Sequence, residues 1–215
     1  MALVRDITER KEAEKRRQHD AERLQLSLEG TIRAVAATVE MRDSYTAGHQ
    51  RRVADLAAAI ARELGLPDAQ IHGVHLAGTI HDLGKIHIPA EILSKPGKLT
   101  DTEFRFIKTH SQAGYDILKD VKFPWPIAQI VLQHHERLDG RGYPQGLKGE
   151  QILLEARIMM VADVVEAMSS DRPYRPGLGT GAALEEIVKH RGTQFDPAAV
   201  DACVNLFREK GYTLG

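Results

Sequence analysis

One cysteine, Cys203, stands in 215 residues, so no internal disulfide framework can hold this chain and its fold rests on packing. Aromatic residues are scarce, at 5%, and no apolar run approaches the roughly eighteen residues that a membrane-crossing helix requires. The N-terminus lacks the basic start, apolar core and small-residue cleavage site of an export signal, which points to the cytoplasm. Neither sign of charge prevails. With 29 Lys and Arg against 30 Asp and Glu, there is no whole-chain electrostatic footprint for long nucleic acid or an anionic membrane, although local basic sites are still allowed. Sustained period-two alternation is missing too, and no internal repeat is evident. What is present is 42% apolar residues, recurring mostly every three or four positions, enough for one sizeable all-helical (all-α) domain.

Residues 1 to about 23 are almost entirely charged or polar, after which Leu24, Leu28, Ile32, Val35 and Val39 fall at spacings of four, four, three and four. This is one stripe of a helix, interrupted by Gly30 and too brief to fix an oligomeric state. A connector or short coiled coil and a solvated, frayed helix are equally good readings of it. Val53, Leu56, Ala57, Ile60, Ala61 and Leu64 form a second helical face that stops at Gly65, a suitable C-cap. Pro67 opens the next helix, which delivers His81 and Asp82 near its C-terminal end. Thr100 and Glu103 have capping-box spacing, so a helix starts there and carries Phe104, Ile107 and His110 on nearby faces. Beyond Pro124 and Pro126, the apolar Ile127, Ile130 and Val131 lead to His134 and His135, again late in a helix. Ile152 to Met168 reads as a strongly apolar helix with one conspicuous acid, Asp163. Asp196 and Pro197 read as an N-cap with Pro at the first helical position, starting a last helix.

A carboxylate such as Asp163 inside an apolar helix is costly to bury unless it is paired, hydrogen-bonded or bound to metal. His81, Asp82, His110, His134 and His135 also sit in or at the ends of apolar helices, where each can deliver a ligand to one cavity in a bundle. Any one of these histidines alone is more often a last-turn charge favouring the helix dipole. Together they describe a metal site. Imidazole and carboxylate without thiolate suit iron, manganese or zinc. Adjacent histidines point about 100° apart on a helix, so His134 and His135 reach one centre only if it is large, which favours two ions and a water-derived nucleophile at neutral pH. Lys85 is either a last-turn cation or, one turn after His81, a contact for phosphate at that centre. His19, His72, His75, His87 and His190 have no matching context and read as structural or exposed.

The segment His81-Asp82-Leu83-Gly84-Lys85-Ile86-His87-Ile88-Pro89, and His134-His135-Glu136-Arg137 through Asp139-Gly140-Arg141-Gly142-Tyr143-Pro144, resemble the HD-GYP family of bacterial cyclic di-GMP phosphodiesterases, a branch of the HD metal-dependent phosphohydrolases. The resemblance extends from Asp43-Ser44-Tyr45-Thr46-Ala47-Gly48-His49 to Gly192-Thr193-Gln194-Phe195-Asp196-Pro197, covering roughly residues 28 to 210. It implies an HD-type helical bundle preceded by an N-terminal linker helix. It also implies that His49, His81, Asp82, His110, His134, His135 and Asp163 are metal ligands, with Asp82 bridging two divalent ions, iron by preference or manganese, and zinc as an inhibitory occupant. By the same resemblance, Asp82 and Lys85 are catalytic and Lys85 meets the scissile phosphate. Arg172 and Arg175 are substrate-binding, as fixed cations that can fork onto phosphate or stack on guanine. Gly142-Tyr143-Pro144 forms a rigid turn in which Tyr143 either packs or contacts substrate.

Two departures stand out. Relatives with three metals carry a glutamate four residues before the position of His49, and Tyr45 stands there, which implies two ions; Glu166 stands where many relatives carry aspartate. At the other end, Val4 to Glu14 resembles the close of a PAS sensory domain running into its signalling helix. That implies a division into residues 1–27, a PAS remnant, and residues 28–215, the phosphohydrolase domain. Its partners are then an upstream PAS sensor and a second copy joined through the N-terminal helix. The expected reaction is hydrolysis of cyclic di-GMP to linear pGpG, and on to GMP more slowly. The rivals are an inactive cyclic-dinucleotide receptor or partner-binding module, a phosphodiesterase for cyclic GMP-AMP, and a purely structural role for the histidines.

Overall fold

The computed structural model describes residues 2–42, 48–95, 97–170 and 177–215, with side chains from residue 11 onward except 21 and 22. Tyr45, Arg172 and Arg175 lie outside the described residues. The first element, α1 (Ala2–Glu40), is a long helix whose side chains from 11 to 20 and from 23 to 28 are all exposed. Only its last third is gripped by the body, through Ile32, Ala36 and Val39 at helical spacing, with Glu29 3.4 Å from His72. The apolar stripe expected along α1 is therefore split. Ile32 and Val39 are buried, while Leu24, Leu28 and Val35 are exposed, because the body has nothing beside the first part of the helix and receives Ala36 in place of Val35. Val4 to Glu14, read as the end of a PAS domain, is helical throughout. Among the described residues there is no β-sheet, only two isolated bridges, so no PAS sheet accompanies that segment.

Helices α2 (His49–Glu63) and α3 (Asp68–Ile80) pack antiparallel across a short connection closed by Gly65 at φ 74°. A 3-10 turn, Leu83–His87, leads to the short α4 (Ala90–Leu93), then α5 (Asp101–Lys108) and α6 (His110–Leu118). The Thr100–Glu103 capping box forms as expected, but the helix it opens breaks at Thr109, whose hydroxyl donates to Phe106 O at 2.7 Å. His110 therefore begins a new helix instead of ending the old one. Next come α7 (Ile127–Gln133), a loop, and the central α8 (Leu154–Ser169), which starts two residues later than the apolar run suggests. Helices α9 (Gly179–Lys189) and α10 (Pro197–Arg208) cover its far side; Asp196 caps α10 by accepting from Ala198 and Ala199 N–H, with Pro197 at N1. Ile60, Ile80, Ile130, Ile158 and Met159 are at most 2% exposed, each contributing roughly 1.5–3 kcal/mol of burial. No helix among the described residues is long and apolar enough to cross a membrane.

One close approach matters for the site. Gly84, in the 3-10 turn, lies against the backbone of α6, so that a Cβ there would overlap the carbonyl of His110 and the amide of Gly114. Backbone atoms cannot rotate away. Gly84→Ala is expected to destabilise the protein by about 2–3 kcal/mol, read as a lower urea midpoint at unchanged m-value.

Candidate metal centre

Five elements bring their ends or middles to one point. His49 is the first residue of α2, His81 the C-cap of α3 with Asp82 next, His110 the first residue of α6, His134 the C-cap of α7 with His135 next, and Asp163 lies mid-α8. Most of these groups sit at helix termini, as expected for His81, Asp82, His134 and His135, while His110 starts a helix of its own. There the loop geometry lets neighbouring residues share one centre, and the rings of His134 and His135 lie 4.0 Å apart.

Three of the histidines are held in the same way. Nδ1 of His81, His110 and His134 donates to the carbonyl three residues earlier, Gly78 O at 2.7 Å, Ile107 O at 2.7 Å and Val131 O at 2.6 Å. A carbonyl only accepts, so Nδ1 carries the proton and Nε2 presents a lone pair to the centre. Asp82 lies among those nitrogens. Its Oδ2 is 3.5 Å from His81 Nε2 and 3.8 Å from His49 Nε2, and its Oδ1 is 3.4 Å from His110 Nε2, so its two oxygens face different groups. Asp163 likewise spans two histidines, with Oδ1 3.3 Å from His49 Nε2 and Oδ2 3.8 Å from His135 Nδ1. Lys85 Nζ is 2.7 Å from Asp82 Oδ2.

The residues fit a pair of cations. His110 Nε2 and His134 Nε2 face each other at 3.3 Å, and with both Nδ1 protons committed to carbonyls neither can donate to the other. Protonation does not resolve this. Burial, with the neighbouring histidines, holds His134 well below its ordinary pKa, and burial lowers His110 against the opposing charge of Asp82. His81 Nε2 is buried with no hydrogen-bond partner. Overlapping groups of candidate ligands, His110/His134/His135, His49/His81/Asp163 and His81/Asp82/His134, have donor atoms close enough to share ions, and together they form two His/Asp clusters consistent with a two-metal site.

The electrostatics divide the histidines. Burial, reinforced by His110, lowers His135 to about 3. Burial would lower His49 as well, but hydrogen bonds to Asp163 and Glu166 and the charges of Asp163 and Asp82 outweigh it and raise it to about 9. For Asp82, burial would raise the carboxyl, and Lys85, His81, His110 and His49 overcome this to keep it ionised; Asp163 is likewise held low against burial, chiefly by His49. A metal must therefore displace a proton from His49 but not from His134 or His135. At pH 7, ion binding is expected to release about one proton from this group, and affinity should rise about tenfold per pH unit up to pH about 9, then level off. Calorimetry in buffers of different ionisation enthalpy measures the release.

Burial also marks the mouth of the site. His81, His110, His134 and Asp82 are at most 4% exposed, whereas Asp163, Lys85 and His135 reach 13%, 17% and 24%. The Tyr143 ring lies 4.7 Å from that of His135 at 34°, so it does pack, and burial pushes its phenol pKa up, which keeps it a neutral donor. A groove of about 870 Å³ starts at Tyr143 and runs along Ile86, His87, Arg105, Lys108 and Gln112.

Two buried glutamates that the sequence offers only as motif positions have partners it does not reveal. Glu166 accepts from His49 Nδ1, from Arg52 Nε and Nη2, each at 2.7 Å, and from Ser170 Oγ at 2.7 Å. It orients His49, which, unlike His81, His110 and His134, is held by a side chain and not by a backbone carbonyl. Glu166→Ala is expected to weaken ion binding by about 10–100-fold in chelator competition. Glu136 accepts the backbone N–H groups of Gln145 at 2.6 Å, Gly146 at 3.1 Å and Leu147 at 3.0 Å, and so shapes the loop that carries Tyr143. An acid directly after His134-His135 is a faint hint of it; nothing in the sequence points to the backbone N–H groups that donate to it. The histidines set aside earlier stay apart: His72 pairs with Glu29, His75 with Asp55, His190 with Glu186, His87 stacks on Phe106, and His19 is exposed.

Comparison with known proteins follows the same lines. The family described as "HD domain" matches residues 33–199. The cyclic di-GMP phosphodiesterase response regulator RpfG of Xanthomonas campestris pv. campestris is 44% identical over 80% of this chain and 46% of its own length. The 3′3′-cGAMP-specific phosphodiesterase 3 of Vibrio cholerae is 37% identical over 85% of this chain and 40% of its own. The chain thus spans less than half the length of these curated relatives. A crystal structure of a cyclic GMP-AMP-specific phosphodiesterase of V. cholerae, V-cGAP3, superposes with a TM-score of 0.65 over 85% of this chain and 49% of that one; at 20% identity it speaks for a shared fold.

Proposed function

Because this chain belongs to the HD domain family, we propose that it is an HD-GYP-type phosphodiesterase that hydrolyses cyclic di-GMP to linear pGpG, and on to GMP more slowly. The observation that carries this reading is the set of imidazole lone pairs around Asp82, whose two oxygens face different histidines. His49, His81, Asp82, His110, His134, His135 and Asp163 would hold two divalent ions, iron by preference or manganese. When bound, those ions supply an activated water and positive charge against the phosphoryl oxygens.

The chain's own groups do the rest. Asp82 stays ionised and anchors the Lys85 ammonium at the mouth, where it can donate to a non-bridging phosphoryl oxygen as negative charge develops. Tyr143, kept neutral, can donate a hydrogen bond to substrate from the rim. The groove beyond it, within the size range of small-molecule sites, has Arg105 and Lys108 to meet the second phosphate and His87 and Ile86 to meet a base. Arg172 and Arg175, outside the described residues, are the other cations assigned to substrate. The bond that breaks is one P–O3′, with water supplying the hydroxyl on phosphorus and the proton on the departing 3′-oxygen.

A second substrate, cyclic GMP-AMP, is favoured by the names of some relatives. Anaerobic purification, elemental analysis and parallel turnover of both dinucleotides decide between them. Two ions and pGpG as product support the proposal; a metal-loaded protein that binds cyclic di-GMP without cleaving it is the receptor instead. Residues 1–27 are read as a connector from an upstream sensor to the catalytic domain, residues 28–215. Leu24, Leu28 and Val35 are exposed on α1 and would pack against a second copy. Removal of residues 1–20 should leave ion binding intact, and loss of ions would count against this modular division.

A further inference from the structure

The end of α1 and the turn that follows it contact the backbone beside both His49 and Lys85. The N-cap of helix α2 is Gly48, with φ 74° and no side chain to cap the helix. The cap comes from α1 instead: Glu40 Oε2 accepts from Gly48 N at 3.3 Å and Oε1 from Gln50 N at 3.2 Å, placing a carboxylate at the N-terminus of the helix whose first residue is His49. Two residues on, Arg42 Nη1 donates to Ile86 O at 2.6 Å. Ile86 follows Lys85 in the 3-10 turn, where Lys85 N is bonded to Asp82 O at 2.9 Å and Ile88 N to Lys85 O at 2.9 Å. The peptide that presents the lysine is thus tied to the turn after α1 on one side and to Asp82 on the other.

From these contacts we propose that Glu40 and Arg42 are positioning residues that make the centre depend on the seating of α1, Glu40 through His49 and ion affinity, Arg42 through Lys85 and phosphate affinity. The inference rests on the two-ion reading above. The lever is long. Residues 2–28 extend about 40 Å at a helical rise of 1.5 Å, and the body holds the helix only from Glu29 onward, through Ile32, Ala36 and Val39. A shift or rotation of about 1 Å at its end takes hydrogen bonds of this length out of range. The two bonds act on different groups, so the two residues should fail in different ways.

The test uses the full chain loaded with manganese and two readouts that need no turnover: ion affinity by chelator competition, and inorganic phosphate affinity of the loaded protein by calorimetry. Glu40→Ala should weaken the looser ion about tenfold and leave phosphate affinity unchanged once ions are saturating, with Glu40→Gln between it and wild type. Arg42→Ala should keep both ions at wild-type affinity and weaken phosphate about tenfold, with Arg42→Lys restoring most of it because an ammonium can still donate to Ile86 O. Wild-type values in both variants, or an equal loss of both affinities in each, would overturn the proposal, since general loosening of the fold lowers the two together. If wild type holds two ions and phosphate but cleaves no dinucleotide, the substrate assignment falls while the crossed pattern still supports this coupling. If it holds no ion, both readings fall.

Discussion

Replacing Asp82 by Ala is expected to lower turnover of cyclic di-GMP by at least about a thousandfold and ion content from two per chain to at most one, with the helical circular-dichroism spectrum retained. The reason is positional. Among the described residues, Asp82 is the carboxylate within reach of Lys85, His81, His110 and His49 together, and its two oxygens serve different sides of the centre. Without it, Lys85 loses its 2.7 Å partner and the facing Nε2 atoms of His110 and His134 lose the anion that lies beside them. Asp82→Asn separates charge from shape, since the amide keeps the volume and one acceptor. It should recover fold stability but little turnover. Variants indistinguishable from wild type in metal-loaded protein would refute the enzyme assignment.

Removing Glu136 is expected to have the second largest effect, of a different kind. This carboxylate, 2% exposed, receives three consecutive backbone N–H groups, and hydrogen bonds to charged groups contribute about 1.5–3 kcal/mol each. Some of those amides can reach water when the loop opens, so the expected loss for Glu136→Ala is about 3–5 kcal/mol in urea unfolding. Activity should fall mainly through KM, at least about tenfold, because Tyr143 sits in the released loop, tied to His135 O at 3.2 Å through its amide. Ion content should stay at two, since His134 is held by Val131 O independently of the loop. A fall in kcat with KM unchanged would show that the loop serves the chemistry and not substrate capture.

The helices were legible because their signals are local. Thr100 with Glu103, Asp196 with Pro197, and Gly65 after Leu64 each concern groups within four residues, and each appears in the structure where the spacing puts it. A candidate ligand set could be assembled from motif resemblance, and the structure places these seven side chains near one another. What stayed hidden depends on distance along the chain. Glu166 finds His49 from 117 residues away, and no spacing rule connects them. The fate of the α1 stripe was equally unreadable, since Leu28 and Ile32 have the same local context and differ only in whether α3 lies beside them.

The carbonyl locks on His81, His110 and His134 have a consequence for how the site tolerates change. Every residue type carries a main-chain carbonyl, so substitutions at Gly78, Ile107 or Val131 cannot delete the acceptor; they act only by moving the backbone. His49 has no such insurance, because its acceptor is the Glu166 side chain. Mutational sensitivity around the centre should therefore differ in kind: behind these three rings only packing limits what can be substituted, as at Gly78, where a Cβ would meet the backbone of Ala54, whereas behind His49 the carboxylate itself is required.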